Sequence, residues 1–586
     1  MTSRYQALVY QSQQQYWLHF ENPIAIFTLD RASTDLLPTL EEIETRIEQE
    51  QCYGVGFISY EASPQFDSAL TVRDDPEFPL LWFALYEHPV AILSPRDLIE
   101  SYSSIPYTLG NWESEISEAQ FHRSIARIKD YIARGDTFQV NYTFRLRSPF
   151  TGDGRSLFTR LLQPQSAPYS AWIDTGRYAI GSASPELFFT LNGSTLTAKP
   201  MKGTASRGTT LGRDRDSARW LYNSEKNRAE NVMIVDMIRN DLGRVAETGT
   251  VQVPQLFEVE RYPTLWQMTS TVTAQTRSPL SQIIANLFPC ASITGAPKPR
   301  TMEIIAELET SPRRIYTGAI GLLRPGKQAQ FNVAIRTVLI DRETEQAEYG
   351  IGSGIVWDSQ SSEEYRECYI KSSVLTQKQP EFSLLETLLW TPQSRYFLLS
   401  YHLQRLQDSA EYFSIPVNIN EIRQELSDRQ IKFQAQPYKI RILVDRNGKV
   451  TQEVSPFSPP SPFSRVKVKF AAEPVDSTNR WLYHKTTYRD VYQRARSLVD
   501  NYDDVLLYNE HNEITESTIA NIVIYWQGKW LTPPISSGLL PGTLRAWLLE
   551  MRLVREHVIT REMIVRSSQR YLINSLRGWQ PFELID

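Results

Sequence analysis

The sequence predicts an α+β protein built in two parts, on three observations. Short runs of β-branched and aromatic residues, as at 54–60 and 80–86, recur along the chain and read as strands. Between them lie stretches with apolar residues at helical spacing. Ser117-Glu118-Ala119-Gln120 carries the serine and glutamine of a capping box, followed by Phe121, Ile125, Ile128 and Ile132 on one face. Near 375–382 the composition turns polar, with Gln377, Lys378, Gln379 and Pro380, which places a boundary there. The expected organisation is an N-terminal region over 1–110, a catalytic region over 111–375, a linker at 376–382 and a second domain over 383–586.

In order, 39–49 reads as a helix, and the helix opening at Ser117 stops near Gly135 before a strand at 138–144. The next stretch runs through Glu186 to Thr204. Asn192-Gly193 sits between two apolar runs and suits a type I′ hairpin turn. Leu191 then faces Ser194 and Glu186 faces Lys199, with Lys202 near the same end but on the opposite sheet face. A break in alternation at Pro200 would turn Lys202 toward Glu186. Taken alone, such a Glu/Lys pair is commonplace. Residues 224–243 read as a helix carrying Glu230 and ending at Gly243, and 300–308 as another. Strands follow at 315–323, 330–340 and 347–356, the last with Gly352-Ser353-Gly354, where backbone N–H groups are open to a ligand. In the helix at 363–373, Glu364 and Glu367 share a face. With Glu230 they make an all-oxygen set of the kind magnesium prefers. The second part has a helix at 401–413 and strands at 438–444 and 466–470.

Composition narrows the class. The 586 residues carry 62 basic and 67 acidic side chains, a net charge of −5, which argues against a nucleic-acid partner. No apolar run reaches the length of a membrane span, and the first twenty residues lack a secretory core. The three cysteines, Cys52, Cys290 and Cys368, are scattered and fit a reducing, cytoplasmic setting.

Several motifs in succession then carry a resemblance: Gly135-Asp136-Thr137-Phe138-Gln139-Val140-Asn141, Ser184-Pro185-Glu186, Pro200-Met201-Lys202-Gly203-Thr204, Ala229-Glu230 through Arg239-Asn240-Asp241-Leu242-Gly243, Gly295-Ala296-Pro297-Lys298, Gly352-Ser353-Gly354 and the Glu364/Glu367 pair. Over its first 375 residues the chain resembles the chorismate-utilising enzymes, and lysine at 202 is similar to the aminodeoxychorismate synthase type. The resemblance implies an antiparallel β-sandwich-like domain with flanking helices. It implies Lys202 as nucleophile, Glu186 as general acid, and Glu230, Glu364 and Glu367 as ligands of Mg2+. Tyr316, Arg336 and the Gly352-Ser353-Gly354 backbone would hold the enolpyruvyl carboxylate of chorismate. Gln267 stands where relatives carry a histidine, and Asn227 where they carry an acid. No cysteine lies in a Gly-x-Cys-x-Gly setting, so ammonia is expected from a separate glutamine amidotransferase subunit.

From 382 onward His402-Leu403-Gln404-Arg405-Leu406, His484-Lys485-Thr486, Thr515-Glu516-Ser517-Thr518-Ile519-Ala520-Asn521 and Leu540-Pro541-Gly542-Thr543-Leu544-Arg545 resemble the fold-type IV pyridoxal-phosphate enzymes, which have two α/β subdomains and are expected as homodimers. The resemblance implies Lys485 as the lysine that holds pyridoxal 5′-phosphate and Glu516 as the partner of its pyridine nitrogen. Arg405, Ile519, Ala520, Thr543 and Leu544 would bind its phosphate, and Thr387 would position substrate. The two halves together imply 4-aminobenzoate synthesis with pyruvate released. The alternative is an anthranilate- or isochorismate-type synthase joined to an amino acid aminotransferase.

Overall fold

A computed structural model describes residues 5–31, 33, 35–163, 167–375, 380–461, 464–499 and 501–585. Residues 376–379 of the expected linker lie outside the described residues. Two units emerge. The first takes the chain through Ser206 and again from Ala218; the second takes Arg207–Ser217 and the chain from Pro380. The segment 207–217 thus departs from the simple two-part division expected from composition.

Among the described residues the first unit is α+β, with two antiparallel sheets of eleven and ten strands. In one, the long strand Gln139–Gly152 lies near one end and is paired residue for residue with Gln346–Ile355 from Gly354↔Asn141 to Gln346↔Pro149. The other runs from Met201–Ser206 through Leu265–Gln275, Thr195–Lys199 and Leu187–Asn192 to Gln328–Val333 and beyond. The strand Leu81–Tyr86 shows how they are held. Trp82, Ala84 and Tyr86 join a core shared by the two sheets with Ala7, Phe20, Ile173 and Ile180. Leu81, Phe83 and Leu85 pack instead with Leu40, Ile43 and Ile47 of the helix Leu36–Glu50. Both strand faces are buried, so the sequence there is continuously apolar rather than alternating. The result is a β-sandwich with helices outside it.

Several local expectations are met. Ser117 caps Glu118–Ala133, its Oγ accepting from the Gln120 amide while Gln120 accepts from the Ser117 amide, and Phe121, Ile125 and Ile128 are buried. Two others need correction. The 330–340 run is not one strand. Gln328–Val333 belongs to one sheet and Thr337–Asp341 to the other, and Arg336 sits in the break with φ 51°. The hairpin register also differs: Asn192 faces Thr195 and Leu191 faces Leu196, while a bulge brings Leu187, not Glu186, opposite Lys199.

The second unit combines a four-stranded antiparallel sheet with an eight-stranded mixed sheet, the two subdomains expected. Leu384–Thr391 and Tyr438–Val444 lie at the centre of the smaller sheet, backed by Leu399–Phe413 and Ile419–Gln430. In the larger sheet Val466–Phe470 pairs in parallel with both Asp504–Tyr508 and Gly578–Leu584.

Candidate active sites

In the first unit the site grows from a sheet edge. Pro200 does not interrupt pairing: Ala198 faces Val272, Met201 faces Thr269, and the Ser270 amide donates to the Pro200 carbonyl. The alternation breaks two residues later. A bulge lies between Met201 and Thr204, with Gly203 at φ 101°. That conformation belongs to glycine, and the extra residue re-aims Lys202. Gln267 fixes the bulge, its Nε2 donating to the Gly203 carbonyl at 2.9 Å. Asn231 donates to the Lys202 carbonyl and accepts from Ser270 Oγ at 2.6 Å. Asn227 faces Gly203, where a Cβ would lie 3.1 Å from it.

Lys202 Nζ stands 3.8 Å from Glu230 Oε2 on the helix Glu225–Gly243. Burial holds its ammonium below the usual lysine range, against the opposing charge of Glu230, Glu367 and Glu364. Nζ would also be 3.1 Å from a Cβ at Gly354, so glycine there leaves room for the amine. Glu186 is buried just before Leu187–Asn192 and accepts from Ser292 Oγ at 2.6 Å. Desolvation pushes its carboxyl up to about 7, while the Ser292 hydrogen bond and the Lys202 charge pull it down. Lys199, the partner first expected for Glu186, pairs with Glu260 instead.

Glu364 and Glu367 project from Ser361–Ser372. Glu364 accepts from Ser353 Oγ. Glu367 pairs with Lys371 at 2.8 Å, and Lys371 also donates to the Gly352 carbonyl. The carboxylates are hard oxygen donors of the kind Mg2+ takes. Among the described residues, however, no group of three or more acidic, histidine or cysteine side chains is gathered to hold a metal. The donor set fits magnesium in kind, with two of its acids turned to protein partners. Tyr316 is buried beneath Gly350, where a Cβ would come within 2.2 Å of its ring, and Arg145 stacks on it at 5.0 Å. Arg336 is a desolvated guanidinium, held below the ordinary arginine range by burial.

In the second unit Lys485 opens into a cavity of about 270 Å3. Its lining includes Thr387, Arg405, Glu516, Ile519, Ala520 and Thr543. Burial, assisted by the Arg405 charge, lowers the Lys485 amine to about 8. The Lys485 carbonyl accepts from the Leu385 amide, tying the lysine to the smaller sheet. Glu516 accepts from Tyr492 Oη at 2.7 Å, Asn521 Nδ2 at 3.2 Å and the Leu540 amide at 3.1 Å; desolvation raises it to about 7. Arg405 grips Glu386 through Nε and Nη2 and donates to the Pro541 carbonyl. The Ile519 and Ala520 amides donate to Ser517 Oγ. Thr543, which lines the cavity, begins the helix Thr543–Glu550, whereas the Leu544 side chain is in the core. A lysine, a buried acid across from it, and a helix start beside an arginine fit an anionic cofactor bearing an aldehyde.

Sequence reasoning passed over Ser292, Asn231, Lys371 and Glu386. Ser292 is 106 positions from Glu186, and no spacing signals such a pair. Glu386 was findable: it shares the inward face of its strand with Leu384, Leu388 and Trp390, where an acid must have partners.

Comparison with known proteins agrees with this division. Residues 5–377 match the family described as chorismate binding enzyme, and residues 383–585 match amino-transferase class IV. Aminodeoxychorismate synthase component 1 of Escherichia coli (strain K12) is 36% identical over 375 residues, covering 60% of this chain and 81% of that protein. An anthranilate synthase component 1 of Haloarcula marismortui is 40% identical over 266 residues, 45% of this chain and 52% of that one. The crystal structure of anthranilate synthase component I from Streptococcus pneumoniae TIGR4 superposes with a TM-score of 0.54 at 25% identity, covering 64% of this chain and 93% of that one. The chain therefore belongs to the chorismate binding enzyme family and carries, after that domain, a segment that matches amino-transferase class IV.

Proposed function

We propose that the chain makes 4-aminobenzoate in two steps, forming 4-amino-4-deoxychorismate from chorismate and ammonia and then eliminating pyruvate from it. The observation that carries the first step is geometric: Glu186 is buried and held by Ser292 Oγ at 2.6 Å, while Lys202, its side chain 21% exposed, stands 3.8 Å from Glu230, and desolvation raises the proton affinity of the acid and lowers that of the amine. A neutral amine is a nucleophile and a protonated carboxyl is a proton donor, so each group is biased toward the form it needs. Lys202 Nζ attacks ring C2, both ring double bonds shift, from C1=C2 and C5=C6 to C1=C6 and C4=C5, and the C4–O bond breaks as the hydroxyl leaves with a proton from Glu186. Ammonia adds at C4 and Lys202 departs, so one water is released and the lysine is regenerated. Glu230, Glu364 and Glu367 would hold a magnesium ion, which supplies charge for the ring carboxylate. Arg336, Tyr316 and the Gly352-Ser353-Gly354 backbone receive the enolpyruvyl carboxylate, and Gln267 keeps Lys202 aimed through Gly203. A separate glutamine amidotransferase subunit would supply the ammonia, in keeping with a relative whose name is that of a component 1.

In the second unit Arg405, Thr543 and the Ile519–Ala520 turn would hold the phosphate of pyridoxal 5′-phosphate, Glu516 its pyridine nitrogen and Lys485 its aldehyde carbon. That cofactor supplies an electron sink. Lys485, freed as an amine, takes the C4 proton. The C3–O bond breaks, the ring becomes aromatic, and the released enol takes up the proton as pyruvate. Thr387 lines the approach. Incubation with chorismate, Mg2+ and ammonium tests the whole reading: 4-aminobenzoate plus pyruvate is expected. The similarity to anthranilate synthases makes 2-aminobenzoate the result that would overturn the first step.

A further inference from the structure

The second unit contains a piece of the chain's first half, Arg207–Ser217, which follows directly on the strand that carries Lys202. Its turn is built with care. Arg207 forms a two-pronged pair with Asp214, 2.6 Å from Nε and 2.8 Å from Nη2, and Asp214 also accepts from the Gly208 amide at 3.0 Å. Gly208 admits no side chain: a Cβ would fall 2.3 Å from the Asp214 nitrogen. Arg207 Nη2 donates to the Tyr412 carbonyl at 2.8 Å, and its guanidinium lies 4.6 Å over the Tyr412 ring. On that ring stacks His484, at 4.2 Å between centroids.

His484 is the residue before Lys485. It is buried, with Nε2 3.2 Å from the Thr209 carbonyl and Nδ1 3.0 Å from Ser409 Oγ. A carbonyl only accepts, so Nε2 carries the proton and Nδ1 accepts from the Ser409 hydroxyl. Desolvation keeps the ring neutral, with its proton affinity lowered to about 3. One tautomer in one orientation is therefore selected, and a main-chain atom of the 207–217 segment selects it.

We propose that the turn at 207–209 is a positioning element of the cofactor site, holding His484 through the Thr209 carbonyl and thereby the backbone that presents Lys485. This rests on the reading of Lys485 as the pyridoxal-phosphate lysine. His484→Gln keeps an N–H donor near the Nε2 position, whereas His484→Phe keeps the stack on Tyr412 and loses both hydrogen bonds. Gly208→Ala displaces the carbonyl from the other side.

The experiment measures pyridoxal-phosphate affinity and the visible spectrum of the bound cofactor in the full-length chain, with thermal melting to show that each variant is folded. His484→Phe and Gly208→Ala are expected to weaken retention about tenfold, the scale of one buried hydrogen bond left unmade, while His484→Gln stays near the parent. Parent-like binding in His484→Phe, or a glutamine variant as weak as the phenylalanine one, overturns the proposal. A parent that shows no bound-cofactor spectrum overturns the Lys485 assignment itself, and the proposal with it.

Discussion

At the scale of single residues, the first site is an acid and an amine whose proton affinities have been moved toward one another. In the proposed reaction Lys202 loses its proton to act and Glu186 keeps its own, so the rate is expected to fall as pH rises through about 7, the value to which burial pushes the Glu186 carboxyl. At constant free ammonia, kcat/KM against pH should show that falling limb, and Glu186→Gln should abolish it with a loss of about 10²–10⁴-fold. Lys202→Ala should stop aminodeoxychorismate formation while leaving chorismate binding measurable by calorimetry; survival at full rate would remove the covalent step. Glu386 makes a stability prediction. Although burial opposes its charge, Arg405 and His402 hold its carboxyl down to about 2, below the ordinary 4.5. A depressed proton affinity stabilises the fold above pH 4.5 and loses that contribution as pH falls toward 2, a change of roughly 3 kcal/mol. Acid unfolding of the parent and of Glu386→Gln, followed by circular dichroism, should differ in that window, with the variant less dependent on pH.

At the scale of elements, what the sequence revealed depended on whether the signal was local. The cap at Ser117 and the face Phe121, Ile125 and Ile128 are contiguous, and both were legible. The strand at 80–86 was legible, but its burial on both faces was not read from the sequence, although Leu81–Tyr86 is an unbroken apolar run. A hairpin was readable from Asn192-Gly193, but Asn192 pairs with Thr195, so the turn falls one residue later on Gly193-Ser194, and side-chain alternation alone did not locate the bulge beyond it. The same limit misplaced the break that aims Lys202, which lies at Gly203 rather than Pro200. Arg336 was singled out by motif alone, because nothing in the periodicity of 330–340 announces a positive φ and a change of sheet. Gly350 tests the element argument. A Cβ there meets the Tyr316 ring at 2.2 Å, so Gly350→Ala should cost about 1–3 kcal/mol in thermal unfolding and raise KM for chorismate.

For the whole molecule, the two family matches meet between residues 377 and 383, and a fragment begun at Pro380 looks complete by that measure. It lacks Arg207–Ser217, which the second unit includes. Such a fragment should bind pyridoxal phosphate about tenfold more weakly than the full chain, the scale of one buried donor left without its acceptor, and equilibrium dialysis checks it. Among the described residues no helix is long and apolar enough to cross a membrane. The motifs pointed to both families in advance, because each is a run of neighbouring residues. The intrusion of 207–217 into the second unit was not legible, since its contacts join residues far apart in sequence, as Arg207 and Tyr412 are at 205 positions.

That intrusion bears on how a chain of this kind could be recombined. A gene fusion between two enzymes is usually pictured as a seam through a linker, across which either half can be exchanged for a homologue. Here a replacement second half would arrive with its own residues at 409, 412 and 484, cut to fit no turn. A working chimera would have to transplant the loop after the Lys202 strand together with its receptor on the far side of the seam, so the unit of inheritance is larger than either domain.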